Sequence, residues 1–271
     1  MQEKLDMPTL GYGTYGRRGT DGLRALREAL AIGYRHLDTA QDYGNETEVG
    51  QAMRDSGLSR DKIFVTTKVA TGNLAADRVL ASLHESLARM KLDHVDLALI
   101  HWPAPNGSID PATYLPELKK AQESGICRHI GVSNFTIALL QRAEEILGAG
   151  ALAVNQFELN PVFKNRRLAN DCQSRGIMVT CYLPIARGRL SGVPAITAIA
   201  NAHSATAEQV ALAWELACGY SAIPASSNPG RMALNFAATQ IRLTAADMAQ
   251  IDALADMPRQ IDPDGAPEWD E

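Results

Sequence analysis

Eight times along this chain a short aliphatic or β-branched run gives way to a stretch whose apolar residues recur at helical spacing. The first strand, over residues 10–14, is weak. After it Leu23, Leu26, Leu30 and Ile32 form a helical stripe closed by Gly33. Strands follow at 34–38, 63–67, 95–100, 130–132, 151–156, 177–182 and 221–224. Helices follow at 46–53, 75–90, 111–123, 137–147, 166–174, 207–217 and 231–238. A further helical piece precedes residue 207, and a last helix, 245–254, stands outside the series. Regular alternation implies a parallel sheet covered by helices. Eight units in roughly 250 residues predict an α/β fold, a single (β/α)8 TIM barrel over 1–271, with a tail from about 255 near the barrel mouth. An open doubly wound sheet carries the same alternation, so periodicity alone leaves closure open.

Composition removes several alternatives. The formal charge of −5 offers no basic face for nucleic acid. No apolar run approaches the ~18 residues of a membrane span, and MQEKLDMPTLG at the start lacks the apolar block of a signal peptide. Cys127, Cys172, Cys181 and Cys218 are scattered without a C-x-x-C spacing, which predicts reduced buried thiols, no metal site and a cytoplasmic protein.

Residues 10–16, LGYGTYG, place Gly11, Gly13 and Gly16 in a G-x-G-x-x-G pattern, with Asp38 about twenty residues on. That is the outline of a dinucleotide-binding Rossmann motif, whose context is a buried first strand and a helix opening at the third glycine. Here the preceding Met7-Pro8-Thr9-Leu10 is short and broken by proline, which cannot donate to a ladder. Helical pattern begins only near Asp21. Both contexts weigh against the motif.

In a barrel, chemistry collects where the strands end at their C-terminal face. Asp38 ends the second strand, with Tyr43 in the loop behind it; Lys68 ends the third and His101 the fourth. Ser133 and Asn134 end the fifth, and the sixth leads to Gln156. Singly, each has an ordinary explanation as a cap, a solvated side chain, a core histidine or a rim aromatic. Together they form a proton-donating device. A free phenol, with a pKa of ~10, is a poor acid at neutral pH. A nearby ammonium lowers that value, and Asp38 keeps the ammonium paired. His101 can hydrogen-bond a substrate oxygen. The set can protonate an oxyanion forming from a carbonyl, but it has no hydride source of its own, so a cofactor is implied.

The motifs that carry these residues resemble the aldo-keto reductases: AIGYRHLDTA at 31–40, YGNE at 43–46, LIHWP at 99–103, GVSNF at 131–135 and VNQFE at 154–158. The resemblance runs from Leu10 to the tail. Within that family the chain is similar to the short bacterial 2,5-diketo-D-gluconate reductases of type B, with GAPEWD at 265–270 contributing. The resemblance implies a (β/α)8 barrel that binds NADPH extended, without a Rossmann fold. Gly13 and Thr14 then belong to a strand-end loop at the pocket, and Asp38 to a catalytic tetrad. Tyr43 is the implied general acid, Lys68 its activator and His101 the orienting donor. Ser133, Asn134 and Gln156 match positions that hold the nicotinamide carboxamide, and Tyr182 the ring that stacks on the nicotinamide. Leu183, Ile185 and Arg187 fall in the loop over the pyrophosphate. Tyr15 and Trp102 are expected in the substrate wall.

Residues 226–235 correspond to the segment around the adenosine 2′-phosphate, and there the chain departs from the commoner family pattern. Ala225 replaces a lysine and Leu234 a glutamate. Ser226, Ser227, Asn228 and Asn235 remain, Pro229 suits a first helical position, and Arg231 can add a charge. NADPH is therefore expected, by a reduced margin, with NADH use possible. The expected reaction is NADPH-dependent reduction of small aldehydes and ketones (keto-sugar acids, methylglyoxal, β-keto esters) by a monomer. Two other classes are a Schiff-base aldolase using Lys68, which borohydride trapping would reveal, and a nicotinamide-binding regulatory subunit that turns over slowly.

Overall fold

The computed structural model describes residues 5–270. Eight parallel strands run in sheet order identical to chain order: β1 (Tyr12–Gly13), β2 (His36–Asp38), β3 (Phe64–Val69), β4 (Val95–Ile100), β5 (Cys127–Ser133), β6 (Val154–Glu158), β7 (Met178–Tyr182) and β8 (Ser221–Ala222). Closure comes from the residues just before β1. Leu10 bridges Ala222 in parallel. Hydrogen bonds from Gly11 N to Ala222 O (2.9 Å), Ala222 N to Thr9 O (2.8 Å) and Gly13 N to Pro224 O (3.0 Å) join the two ends of the sheet. The fold is a (β/α)8 barrel, and the open-sheet alternative is set aside.

Close approaches explain Gly11 and Gly13 of LGYGTYG. A Cβ on Gly11 would lie 2.5 Å from His36 Nδ1, and one on Gly13 would lie 2.7 Å from Ile223 O. Gly13 lets the first and last strands approach, and Gly11 leaves room for the His36 ring of β2; neither opens a phosphate-binding helix.

The helices are α1 (Gly19–Ile32), α2 (Glu46–Asp55), α3 (Arg78–Met90), α4 (Pro111–Glu123), α5 (Ile137–Leu147), α6 (Arg166–Ser174), α7 (Pro194–Ala202), α8 (Ala207–Ala217), α9 (Pro229–Ala237) and α10 (Ala245–Asp252). The main core lies between strands and helices, with Leu26, Leu37, Val65, Leu83, Ile100, Leu118 and Val132 buried in it. A smaller cluster of Met7, Leu97, Leu99 and Val154 forms a separate apolar group. Charged partners such as Arg27–Asp55 and Arg142–Glu145 decorate the outer helices and contribute little each.

Several element edges differ from the sequence expectation for identifiable reasons. β5 begins at Cys127 because Cys127 and His129 pair with Val95 and Leu97, contacts no local pattern reveals. β8 stops at Ala222, before Pro224, whose carbonyl instead serves the seam. α9 starts at Pro229, with the Asn228 side chain accepting from Arg231 N. The helical piece before residue 207 is α7.

Candidate active site

The polar strand ends surround one cavity of about 640 Å³ at the C-terminal mouth of the barrel. Successive side chains of a strand alternate in direction, so the site draws on strand-end residues and on the turns behind them. Lys68 is buried on β3. Its ammonium donates to Asp38 Oδ1, to Thr39 O (2.9 Å) and to Tyr43 Oη (3.4 Å). Three donors meet three acceptors, which is what a buried ammonium requires. Burial alone opposes the Lys68 charge, but Asp38 and the phenol reverse this and hold its pKa above the usual lysine value. The other Asp38 oxygen accepts from Gln156 Nε2 at 2.8 Å. A continuous chain thus runs from Gln156 through Asp38 and Lys68 to Tyr43.

Tyr43 ends a 3-10 turn, Gln41–Tyr43, that is closed by Gly44 in the left-handed region. Its ring meets the rings of Tyr15 and His101 edge-on, with centroids 5.2 and 5.5 Å away. The net direction of its pKa corrects the sequence expectation. Burial raises the phenol above its ordinary value and outweighs the lowering by Lys68, while Asp38 raises it further. Lys68 limits the rise rather than bringing the phenol below its free value.

A second network holds the opposite wall. Tyr182 Oη donates to Asn134 Oδ1 (2.8 Å), and Asn134 Nδ2 donates to His101 O and to Ser133 Oγ (3.1 Å each). Ser133 Oγ donates to Gln156 O (2.8 Å). Asn134 takes φ +62°, a conformation asparagine tolerates better than most residues.

Gly13, Thr14, Tyr15, Asp38, Tyr43, His101, Trp102, Ser133, Asn134, Gln156, Tyr182, Leu183, Ile185 and Arg187 line the cavity. Lys68 lies behind Tyr43. Ala225 lines the cavity too, whereas Ser226, Ser227, Asn228, Arg231 and Asn235 stand outside its wall. Of these, Asn228 caps α9, Ser226 Oγ accepts from Asn228 N (3.1 Å), and Tyr12 Oη donates to Ser226 O (2.5 Å). Arg231 and Ser227 are exposed.

Arg17, Asp42 and Ile261 are among the wall residues that the sequence does not single out. Asp42 Oδ2 lies 3.1 Å from His101 Nδ1. A carboxylate next to the candidate acid, facing a strand-end histidine, was the available signal. Ile261 had none, because it reaches the site through a long-range contact. Glu158, buried at the end of β6, accepts from Gln260 N (3.0 and 3.1 Å) and Ile261 N (2.9 Å). Removing that carboxylate orphans two backbone N–H groups and frees the tail around Gln260 and Ile261. Glu158→Ala is expected to cost about 1–3 kcal/mol of stability and to speed tryptic cleavage after Arg259 several-fold. Equal cleavage rates in the native protein and the variant would contradict the clamp.

A nicotinamide dinucleotide suits this wall. Thr14 Oγ1 is buried there with no hydrogen-bond partner among the described residues, two amides and a serine hydroxyl converge beside the Tyr182 ring, and Arg187 supplies a cation at the rim. Among the described residues no three His, Cys, Asp or Glu side chains converge as metal ligands.

A sequence profile for the Aldo/keto reductase family matches residues 9–256. Methylglyoxal reductase DkgB of Yersinia pestis is 43% identical over 267 residues, covering 98% of this chain and all of that protein. An aldo-keto reductase of Mycobacterium sp. (strain JLS) is 37% identical, covering 93% and 91%. Among solved structures, a protein provisionally described as 2,5-diketo-D-gluconic acid reductase B superposes with a TM-score of 0.93 at 37% identity, covering 98% of this chain and 95% of that one. The aldo-keto reductase MGS-M4, from a Medee basin deep-sea metagenome library, gives a TM-score of 0.92 at 31% identity, covering 98% and 97%.

Proposed function

The chain belongs to the aldo/keto reductase family, an oxidoreductase family that uses nicotinamide cofactors, and from that premise we propose that it reduces small aldehydes and ketones with NADPH, methylglyoxal foremost. The observation that carries this reading is the buried chain Gln156–Asp38–Lys68–Tyr43, which ends on a phenol in the cavity wall.

NADPH, when bound, supplies the hydride for the carbonyl carbon. Ser133, Asn134 and Gln156 are the residues that would hold its carboxamide, with the Tyr182 ring beside the nicotinamide and Arg187 near the pyrophosphate. The Tyr43 O–H gives its proton to the carbonyl oxygen as negative charge develops there. Lys68 stabilises the tyrosinate left behind, and solvent returns the proton. Asp38 keeps the ammonium charged and in place. A charged amine is a poor nucleophile, so the same ion pair weighs against Schiff-base chemistry at Lys68. The small-substrate reading is supported by the Tyr15 and Trp102 rings in the wall and by relatives named for methylglyoxal reduction.

A panel of carbonyl compounds followed by loss of NADPH absorbance tests this. Methylglyoxal is expected to be turned over; no absorbance loss with any carbonyl would overturn the reading. The same assay examines the cofactor. The 2′-phosphate reading places that dianion near the start of α9, where Arg231 stands one turn in and exposed. Arg231→Ala is expected to raise KM for NADPH about tenfold, the order expected for one exposed charge-assisted hydrogen bond, and to leave KM for NADH nearly unchanged. A kcat/KM for NADH equal to or above that for NADPH in the native enzyme would make NADH its cofactor.

A further inference from the structure

His101 is held at two points. Asn134 Nδ2 fixes its carbonyl, and Nδ1 faces Asp42 Oδ2 at 3.1 Å. Its ring lies edge-on to Tyr43, and the residue lines the cavity. Among the described residues none hydrogen-bonds Nε2. An ionised carboxylate only accepts, so the Nδ1 contact is a hydrogen bond only when that nitrogen carries the proton. A neutral imidazole has one N–H. Its other nitrogen is then a bare lone pair.

We propose that Asp42 sets the proton position of His101, so that Nε2, the nitrogen left for a substrate oxygen, accepts a hydrogen bond when the ring is neutral and donates one only as the imidazolium. Asp42 is therefore a positioning residue acting through His101. The kinetic part rests on the carbonyl-reductase reading; the proton position does not.

The consequence follows from charge and hydrogen-bond polarity. A carbonyl oxygen gaining negative charge is stabilised by a donor and opposed by a lone pair. An alcohol, with its O–H, is suited by the lone pair. Reduction should therefore favour the imidazolium form and alcohol oxidation the neutral one. Four groups face the ring: Asp42 from the 3-10 turn, Tyr43 beside it, Lys68 from β3 and Asp38 from β2. Burial lowers the His101 pKa below the ordinary value; the Asp42 hydrogen bond and charge raise it, Lys68 lowers it and Asp38 raises it. The ring is thus neutral at pH 7.5, and the proton sits on Nδ1. The carboxylate is exposed on its other side, 51% accessible, so Asp42 can be replaced without opening the core.

The test is nitrogen NMR on protein labelled in histidine, with His101→Gln identifying the resonance. At pH 7.5 the native ring is expected to be protonated at Nδ1. Asp42→Ala, folded with a near-native melting temperature, is expected to shift the majority to Nε2–H. A native ring protonated at Nε2, or the same tautomer in both proteins, would overturn the proposal. The kinetic arm is kcat/KM for methylglyoxal against pH. In the native enzyme it should rise as pH falls through the His101 pKa, approaching tenfold per unit on the steep limb, and Asp42→Ala should flatten that limb. An identical limb in both proteins would also overturn it. Absence of any carbonyl turnover would sink the reductase reading alone, and the NMR result would stand.

Discussion

Tyr43→Phe is expected to lower kcat for carbonyl reduction by a factor on the order of 10² or more, the scale of losing a positioned general acid. The change deletes one oxygen. The ring remains, with its edge contacts to Tyr15 and His101, so the wall keeps its shape. Lys68 keeps Asp38 and Thr39 O as acceptors, losing only the longest of its three hydrogen bonds. Cofactor binding, followed by quenching of protein fluorescence, should survive within a few-fold. A Tyr43→Phe enzyme that reduces methylglyoxal within a few-fold of the native rate would show that another group supplies the proton, and His101 would be the next candidate.

Lys68→Met carries the largest expected effect on folding. Lys68 and Asp38 are both fully buried, with 1% of each side chain accessible. Taking away the ammonium leaves Asp38 in the core with Gln156 Nε2 as its remaining side-chain donor among the described residues. Breaking a buried pair from one side costs about 3–5 kcal/mol, because the remaining charge keeps its desolvation penalty. Denaturant unfolding should show that loss. Lys68→Met combined with Asp38→Asn should recover much of it, since no lone charge then remains, while activity stays low. A second signature is kinetic. Tyr43 donates only while protonated, so this step fails as pH rises through the phenol pKa. Lys68 is the group that lowers that pKa. Without it the alkaline limb should move to higher pH as the plateau rate drops. A Lys68→Met enzyme with native stability and an unchanged limb would disprove the coupling.

Strand–helix alternation is a local property, so the eight units and the strand-end positions of Asp38, Lys68 and His101 are legible in the sequence. Closure is not local. It depends on Leu10 meeting Ala222, more than two hundred residues away, and β1 itself keeps only Tyr12–Gly13 in its ladder. The start of β5 is equally hidden, since Cys127-Arg128-His129 reads as polar until Val95 and Leu97 are placed beside it. Asp42 is in plain view but lacks a partner until the turn at Gln41–Tyr43 aims it at His101. Ile261 enters the wall only because Glu158 fastens the tail across the barrel mouth. The direction of the Tyr43 pKa escapes the sequence for a related reason: strand-end placement suggests the ammonium beside it, but burial is a property of the finished fold.

The most direct measurement follows the transferred hydrogen. Methylglyoxal should be incubated with the native enzyme and NADPH carrying deuterium at one prochiral C4 position of the nicotinamide, then with the opposite label, and the product alcohol analysed by mass spectrometry. The account predicts that deuterium from one of the two positions, and not the other, arrives on the former carbonyl carbon, and that Tyr43→Phe slows its arrival by about two orders of magnitude. Product formed without deuterium from either position, or formed at the native rate by the Tyr43→Phe enzyme, would contradict it.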